Sequence, residues 1–147
     1  MKKQLLFLVG AWIFFIGCVA SEKKENKPTQ STLMINLISD ATVNPHSSLM
    51  GIHLAEKAHN NGIKATIFLN VSGVKLLQPG ADTIVFNNQS IVQALNKVAE
   101  KGVEVVACPH CMEALGIKKE SLPAYVKIGE EKVMMEKIRN QPTVFTY

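Results

Sequence analysis

The sequence predicts an α/β protein, a mostly parallel sheet of about five strands covered by helices on both faces. Three observations point there. The strand candidates are apolar along their whole length instead of alternating, the pattern of strands buried on both sides. They alternate along the chain with segments whose apolar residues recur at helical spacing. Glycine, proline or asparagine breaks separate many of these segments.

Thr32 to Ile38 is the first strand candidate, a nearly unbroken apolar run. Ser47 or Ser48 can cap a helix through Leu49, Ile52, Leu54, Ala55 and Ala58, which ends at Asn60-Asn61-Gly62. Lys64 to Leu69 is the second strand. Gly73 to Leu77 reads as a short helix before the Pro79-Gly80 break. Thr83 to Phe86, within the weak stretch Ala81 to Asn88, reads as a strand or a packed loop. Ser90 opens a helix with Ile91, Val92, Leu95 and Val98 on one face, stopped by Gly102. Val103 to Ala107 is a strand, and Met112 to Gly116 a helical turn. Tyr125 to Ile128 reads as a short strand, Glu130 to Arg139 as a helix and Thr143 to Tyr147 as a terminal strand.

Domain organisation follows from composition. Lys2 and Lys3 precede an apolar stretch from Leu5 to Ala20, the layout of a secretory signal. At 16 residues, two of them glycine, the stretch is short against the roughly 20 needed to span a bilayer. Phe15-Ile16-Gly17-Cys18 resembles a bacterial lipobox, with Cys18 as the lipidated residue. Ordinary cleavage near Ala20 and an uncleaved anchor are the alternatives. Each places the rest of the chain outside the cytoplasm, in a periplasmic setting and lipid-anchored if Cys18 is modified. Residues 21–31 are charged and polar, a solvated linker or a plain N-terminal tail. Residues 32–147 are one domain's worth of core. Net charge falls from +4 to +2 when Lys2 and Lys3 leave with the signal. That balance is too mild to argue for nucleic acid, and no basic patch with interleaved aromatics accompanies it.

The most chemically informative motif is Cys108-Pro109-His110-Cys111, where a strand ends and a helix begins. Helix N-terminal N–H groups favour a thiolate, so the pair is expected to be reactive, with His110 helping to tune it. A purely structural disulfide here would constrain the unfolded chain little, because the loop it closes is so short. Sites in such sheets lie beyond the carboxyl ends of the strands. Asp40, Asn44 and His46 reach that edge after the first strand, and Asn70, Ser72 and Gly73 after the second. Each also has a simpler role: turn formers for Asp40 and Asn44, a loop histidine for His46, an unusual backbone angle at Gly73.

Several blocks resemble one family. Lys64 to Asn70 followed by Gly73-Val74 looks like its strand and glycine-valine turn. Leu95 through Gly102-Val103-Glu104-Val105 leads into Cys108, Gly116-Ile117 falls eight residues after that cysteine, and Val144-Phe145 resembles its closing strand. On these residues the chain from about Leu33 to Tyr147 resembles the DsrE/DsrF-like sulfur-relay family, in a secreted, predicted-peroxiredoxin-like branch. The resemblance implies a flavodoxin-like three-layer α/β/α sandwich, a homo-oligomer built as a trimer or hexamer, and a cysteine that carries sulfur as a persulfide. That cysteine maps to Cys108. Cys111 matches a second cysteine of only some members and would resolve the sulfur held on Cys108, leaving a disulfide. The expected partners are sulfur donor and acceptor proteins or small sulfane-sulfur species, and the expected activity is sulfurtransferase or thiol-redox chemistry.

Two other classes compete. The same tetrapeptide serves a strongly oxidising thioredoxin-fold enzyme, so a thiol-disulfide oxidoreductase is the first alternative. Only 36 residues follow Cys111, which argues against that fold. Soft-metal binding, copper or zinc, is the second, using Cys108, His110, Cys111 and Met112. A second ligand pair is missing from it: only His46, His53 and His59 remain, and Met134-Met135 reads as helix packing. There is no Gly-rich phosphate loop, nucleophile-elbow serine or HExxH motif, so neither a nucleotide cofactor nor a resident metal is expected.

Overall fold

The computed structural model describes residues 30–140 and 142–147. The expected signal segment, Cys18 and nearly all of the linker lie outside the described residues. Among the described residues no helix is long and apolar enough to cross a membrane.

Strand β1 (Thr32–Leu37) leads into helix α1 (Pro45–Asn60) and strand β2 (Lys64–Leu69). A 3-10 turn over Val71–Leu77 and a shorter one over Ala81–Thr83 follow. Strands β3 (Val85–Phe86) and β4 (Gln89–Ser90) pair as a small antiparallel hairpin outside the main sheet, which settles the ambiguous stretch. Helix α2 (Ile91–Glu100), strand β5 (Glu104–Ala107) and helix α3 (Pro109–Ala114) come next. Strand β6 (Val126–Ile128), helix α4 (Glu131–Arg139) and strand β7 (Thr143–Thr146) complete the chain.

The main sheet has the order β6-β5-β2-β1-β7, and every pair is parallel. Helices flank it in the expected flavodoxin-like three-layer arrangement. Strand order reverses between β1 and β7, which the chain reaches last. Residues at odd positions of β1 (Leu33, Ile35, Leu37) join Ile67, Val105 and Ala107 in one core against Ile52 and Ala55 of α1 and Leu95 and Val98 of α2. Each buried leucine, isoleucine or valine among them contributes about 1.5–3 kcal/mol. Gly51 lets α1 approach closely: a Cβ there would meet Ile35 and Leu37 at 3.1 Å.

The opposite face is thinner. Met34, Thr66 and Val106 are buried there but lie outside that core. Helix α4 lies on this side, its Lys137 lining a cleft with Met34 and Thr66, and buries none of its own residues. Glu104 tethers it, pairing with Lys137 of α4 and with Lys127. Burial pushes the Glu104 carboxyl up, but the two lysines outweigh it and hold it below its ordinary value.

Three local expectations are corrected. Asn44, not Ser47 or Ser48, caps α1: its side-chain oxygen accepts the Ser47 N–H at 3.1 Å, with Pro45 in the first turn. Ser48 instead faces the interior, fully buried with no partner for its hydroxyl among the described residues. The 3-10 turn after β2 begins at Val71, two residues before the predicted helix. Helix α3 begins at Pro109, not Met112, so His110 and Cys111 lie in its first turn. Proline suits that opening because its missing N–H would have no helical acceptor.

Candidate functional site

The register of β2 and β5 assembles the site. Leu69 pairs with Ala107, so Asn70 and Cys108 leave the sheet side by side at its carboxyl edge. The Cys108 N–H donates to the Leu69 carbonyl at 2.9 Å, extending the ladder by one residue. Its carbonyl then accepts the Met112 N–H at 3.0 Å, and α3 starts. Met112 is buried and anchors the helix. Cys108 occupies the N-cap position, yet its side chain makes no capping bond. Both cysteines are free thiols, half-buried against the core. His110 is exposed.

Three residues along the helix, Cys111 returns toward the end of β2. Its Sγ–H donates to the Asn70 Oδ1 at 3.3 Å, and its sulfur accepts the Val71 N–H at 3.2 Å. Burial pushes the Cys111 thiol up, the neighbouring Cys108 thiol adds to this, and the Val71 N–H opposes it. For Cys111 this reverses the expectation that the helix N-terminus would favour the thiolate. Desolvation of the charged form outweighs the one donor that reaches the sulfur.

Asn70 is held on its other side. Its Nδ2 donates to the Asn36 Oδ1 at 3.4 Å, and its Oδ1 also accepts the Val71 N–H at 2.9 Å. Asn36 sits on β1 and reaches Thr146 of β7 at 3.5 Å. A lateral chain of side chains therefore crosses three strands and ends at Cys111. Asn36 was missed from sequence, although one polar residue inside an otherwise apolar strand was a usable signal. Val71 was missed without any signal. It is β-branched, more than half exposed, and adopts φ 48°, a left-handed conformation such residues avoid.

Gly73 explains part of that strain and corrects its own expected role. Its φ is not positive; the unusual backbone angle belongs to Val71. What Gly73 supplies is closeness. A Cβ there would overlap the Leu37 carbonyl oxygen and stand 2.9 Å from its carbon. That carbonyl accepts the Asn70 N–H at 2.9 Å, so the turn after β2 is pressed onto the end of β1.

The segment after β1 is otherwise engaged. Asp40 binds the Thr42 N–H and hydroxyl and pairs with Lys75 of the 3-10 turn at 2.5 Å. Those hydrogen bonds hold its carboxyl down at about 2, from 3.8. His46 stacks on Phe86 with ring centroids 4.6 Å apart. Asn70 and Gly73 thus belong to the thiol edge, whereas Asp40 reaches it only through Lys75 and His46 packs elsewhere. Among the described residues no three His, Cys, Asp or Glu side chains gather as a metal-binding group. Chemically, the site offers two thiols in different environments.

The fold has relatives among solved structures. The ychN protein from E. coli superposes with a TM-score of 0.65 at 19% identity, over 80% of this chain and 99% of its own. A protein of unknown function from Methanobacterium thermoautotrophicum gives 0.62 at 12% identity, over 80% and 100%. One from Bacteroides thetaiotaomicron gives 0.59 at 17% identity, over 80% and 95%. No protein of curated function matches the chain. The family model for the DsrE/DsrF-like family matches residues 33–147, nearly the whole described domain. With its parallel sheet and the thiol edge beyond β5, this chain belongs to the DsrE/DsrF-like family.

Proposed function

We propose that this protein relays sulfur outside the cytoplasm, taking sulfane sulfur onto Cys108 and passing it on. The observation that carries the reading is the inequality of the two thiols: Cys111 is engaged by Asn70 and Val71, while Cys108 makes no capping bond at the helix start. The Cys108 thiolate attacks the outer sulfur of a donor persulfide, forming Cys108–S–SH and releasing the donor thiolate. An acceptor thiolate then attacks the outer sulfur and regenerates Cys108. Alternatively the Cys111 thiolate attacks the inner sulfur, giving a Cys108–Cys111 disulfide and hydrosulfide. Both routes balance without an external oxidant.

Location and assembly belong to the same proposal. The signal-like N-terminus, with Cys18 as the lipid-bearing residue, supports an envelope protein. Exposed Met135 and Ile138 on α4 and Val144 on β7 support burial of that side of the sheet in a trimer or hexamer.

Mass spectrometry after polysulfide treatment tests the relay. Cys108→Ser is expected to abolish persulfide formation, and Cys111→Ser to retain the adduct on Cys108. A persulfide found solely on Cys111 overturns the assignment. Equal loss of insulin reduction in both variants, with no persulfide in the native protein, favours the oxidoreductase.

A further inference from the structure

We propose that the Asn70 carboxamide is a positioning group that, with the Val71 N–H, clamps the Cys111 sulfur as a protonated thiol, so that Cys108 reacts first. This rests on the relay reading for its consequence, but the clamp itself is independent of sulfur transfer. Three observations carry it.

The first is the fixed orientation of the amide. Asn70 Nδ2 is used by Asn36 Oδ1, and Asn70 Oδ1 takes the Val71 N–H. Flipping the amide would set two donors face to face at Val71 and, with Asn36 donating to Thr146 as it does, two acceptors face to face at Asn36. The group aimed at Cys111 is therefore an acceptor, and the sulfur must supply the proton. A thiolate would face the carbonyl lone pairs instead. The second is the single opposing donor: the Val71 N–H is divided between the Asn70 oxygen and the sulfur, which weakens its pull toward the thiolate.

The third is the backbone. A β-branched residue held at φ 48° and largely exposed costs on the order of 1–3 kcal/mol and persists only where its surroundings over-determine it. They do so here through Gly73 against the Leu37 carbonyl, the Asn70 N–H on the same carbonyl, and the Lys75–Asp40 pair. The result is an N–H aimed at a sulfur 40 residues away in sequence. The order of reaction is thus written into the turn after β2 and not into Cys-Pro-His-Cys itself.

The charged and titratable groups on the surrounding elements are Cys108, His110 and Glu113 of α3 and its approach, and Lys75 with its partner Asp40 on the facing turns. Of these, the Cys108 thiol bears directly on Cys111 and pushes it up, so the test uses a Cys108→Ala background. The rate of Cys111 alkylation by iodoacetamide is followed against pH. Asn70→Ala removes the acceptor and is expected to raise the rate at pH 7 about three- to tenfold. Asn70→Asp replaces the amide by a carboxylate and is expected to lower it by a similar factor. Asn36→Ala removes one of the two holds on the amide, leaving only the Val71 N–H to orient it, and is expected to give a smaller rise.

Opposite signs for the alanine and aspartate variants identify the clamp. A merely structural role would loosen the turn in both and move the rate the same way, which overturns the proposal. So does an unchanged pH profile in variants that keep the parent melting midpoint. If Asn70→Ala fails to fold, the aspartate and Asn36→Ala variants still decide by their opposite signs. Because no sulfur donor is used, failure here leaves the persulfide test intact, and failure of persulfide loading leaves this one readable.

Discussion

The segments that follow β1 and β2 start alike and end differently. Each leaves a buried parallel strand at the same edge of the sheet, and each carries short polar residues suited to turns. After β1 those residues never reach the thiols: Asp40 binds Thr42 two residues on and pairs with Lys75 of the turn after β2, and Asn44 caps the helix three residues on. After β2 the Asn70 side chain reaches Cys111, 41 residues later, and Asn36, 34 residues earlier. The difference shows that residue type at a strand end does not by itself make a site. Both side chains serve their own turns; what matters is whether the bonds left over reach the thiol that the sheet brings in.

The sharpest way to break the second segment is Gly73→Ala. The added methyl meets backbone, which cannot swing aside as a side chain could. We expect a loss of about 3 kcal/mol, the upper end of overpacking, read as a lower midpoint in urea denaturation. An alanine variant as stable as the parent would mean that the close approach to Leu37 is dispensable.

A smaller effect is expected from Asp40→Asn, which removes the pair linking the two segments. The Asp40 carboxyl is depressed in the folded protein, to about 2 from 3.8. Its contribution is therefore complete above about pH 4 and is lost as the pH falls toward 2. The side chain is partly exposed, so the pair contributes about 0.5–1 kcal/mol, not the full amount the shift would imply. Denaturation at pH 7 should show the variant weaker by that amount, with the two proteins converging near pH 2. A constant gap across that range would contradict the assignment.

The smallest change is His46→Ala. It removes an aromatic stack at an exposed position and should cost about 0.5 kcal/mol or slightly more. Persulfide loading should be unchanged. A loss of loading in a stably folded His46→Ala protein would place the first segment back in the site.

Much of the architecture was legible because it is written in short-range patterns. Thr32 to Ile38 and Lys64 to Leu69 read as buried strands from their apolar runs, and Ser90 reads as the cap of α2, where its side chain accepts the Gln93 N–H. Errors fell where two local signals competed. Ser47 and Ser48 are good caps, but Asn44 one turn earlier is also one, with a proline following it. At Gly73 the residue was rightly singled out and its reason was wrong, since glycine serves a close approach as readily as a positive φ. Asn36 passed unremarked inside an apolar run, because its partner Asn70 lies 34 residues away at the end of β2.

The sequence alone determined the alternation of strands and helices, the parallel sheet and the cysteine pair at the junction of β5 and α3. Those properties depend on apolar periodicity and on residues only a few positions apart. The tertiary structure alone decided that β2 lies beside β5, so that Asn70 and Val71 meet Cys111. It also decided that a valine, against its own preference, presents the N–H that touches the sulfur. Such contacts depend on strand order and register, which are set by how whole faces bury together and leave no mark on the residues they join.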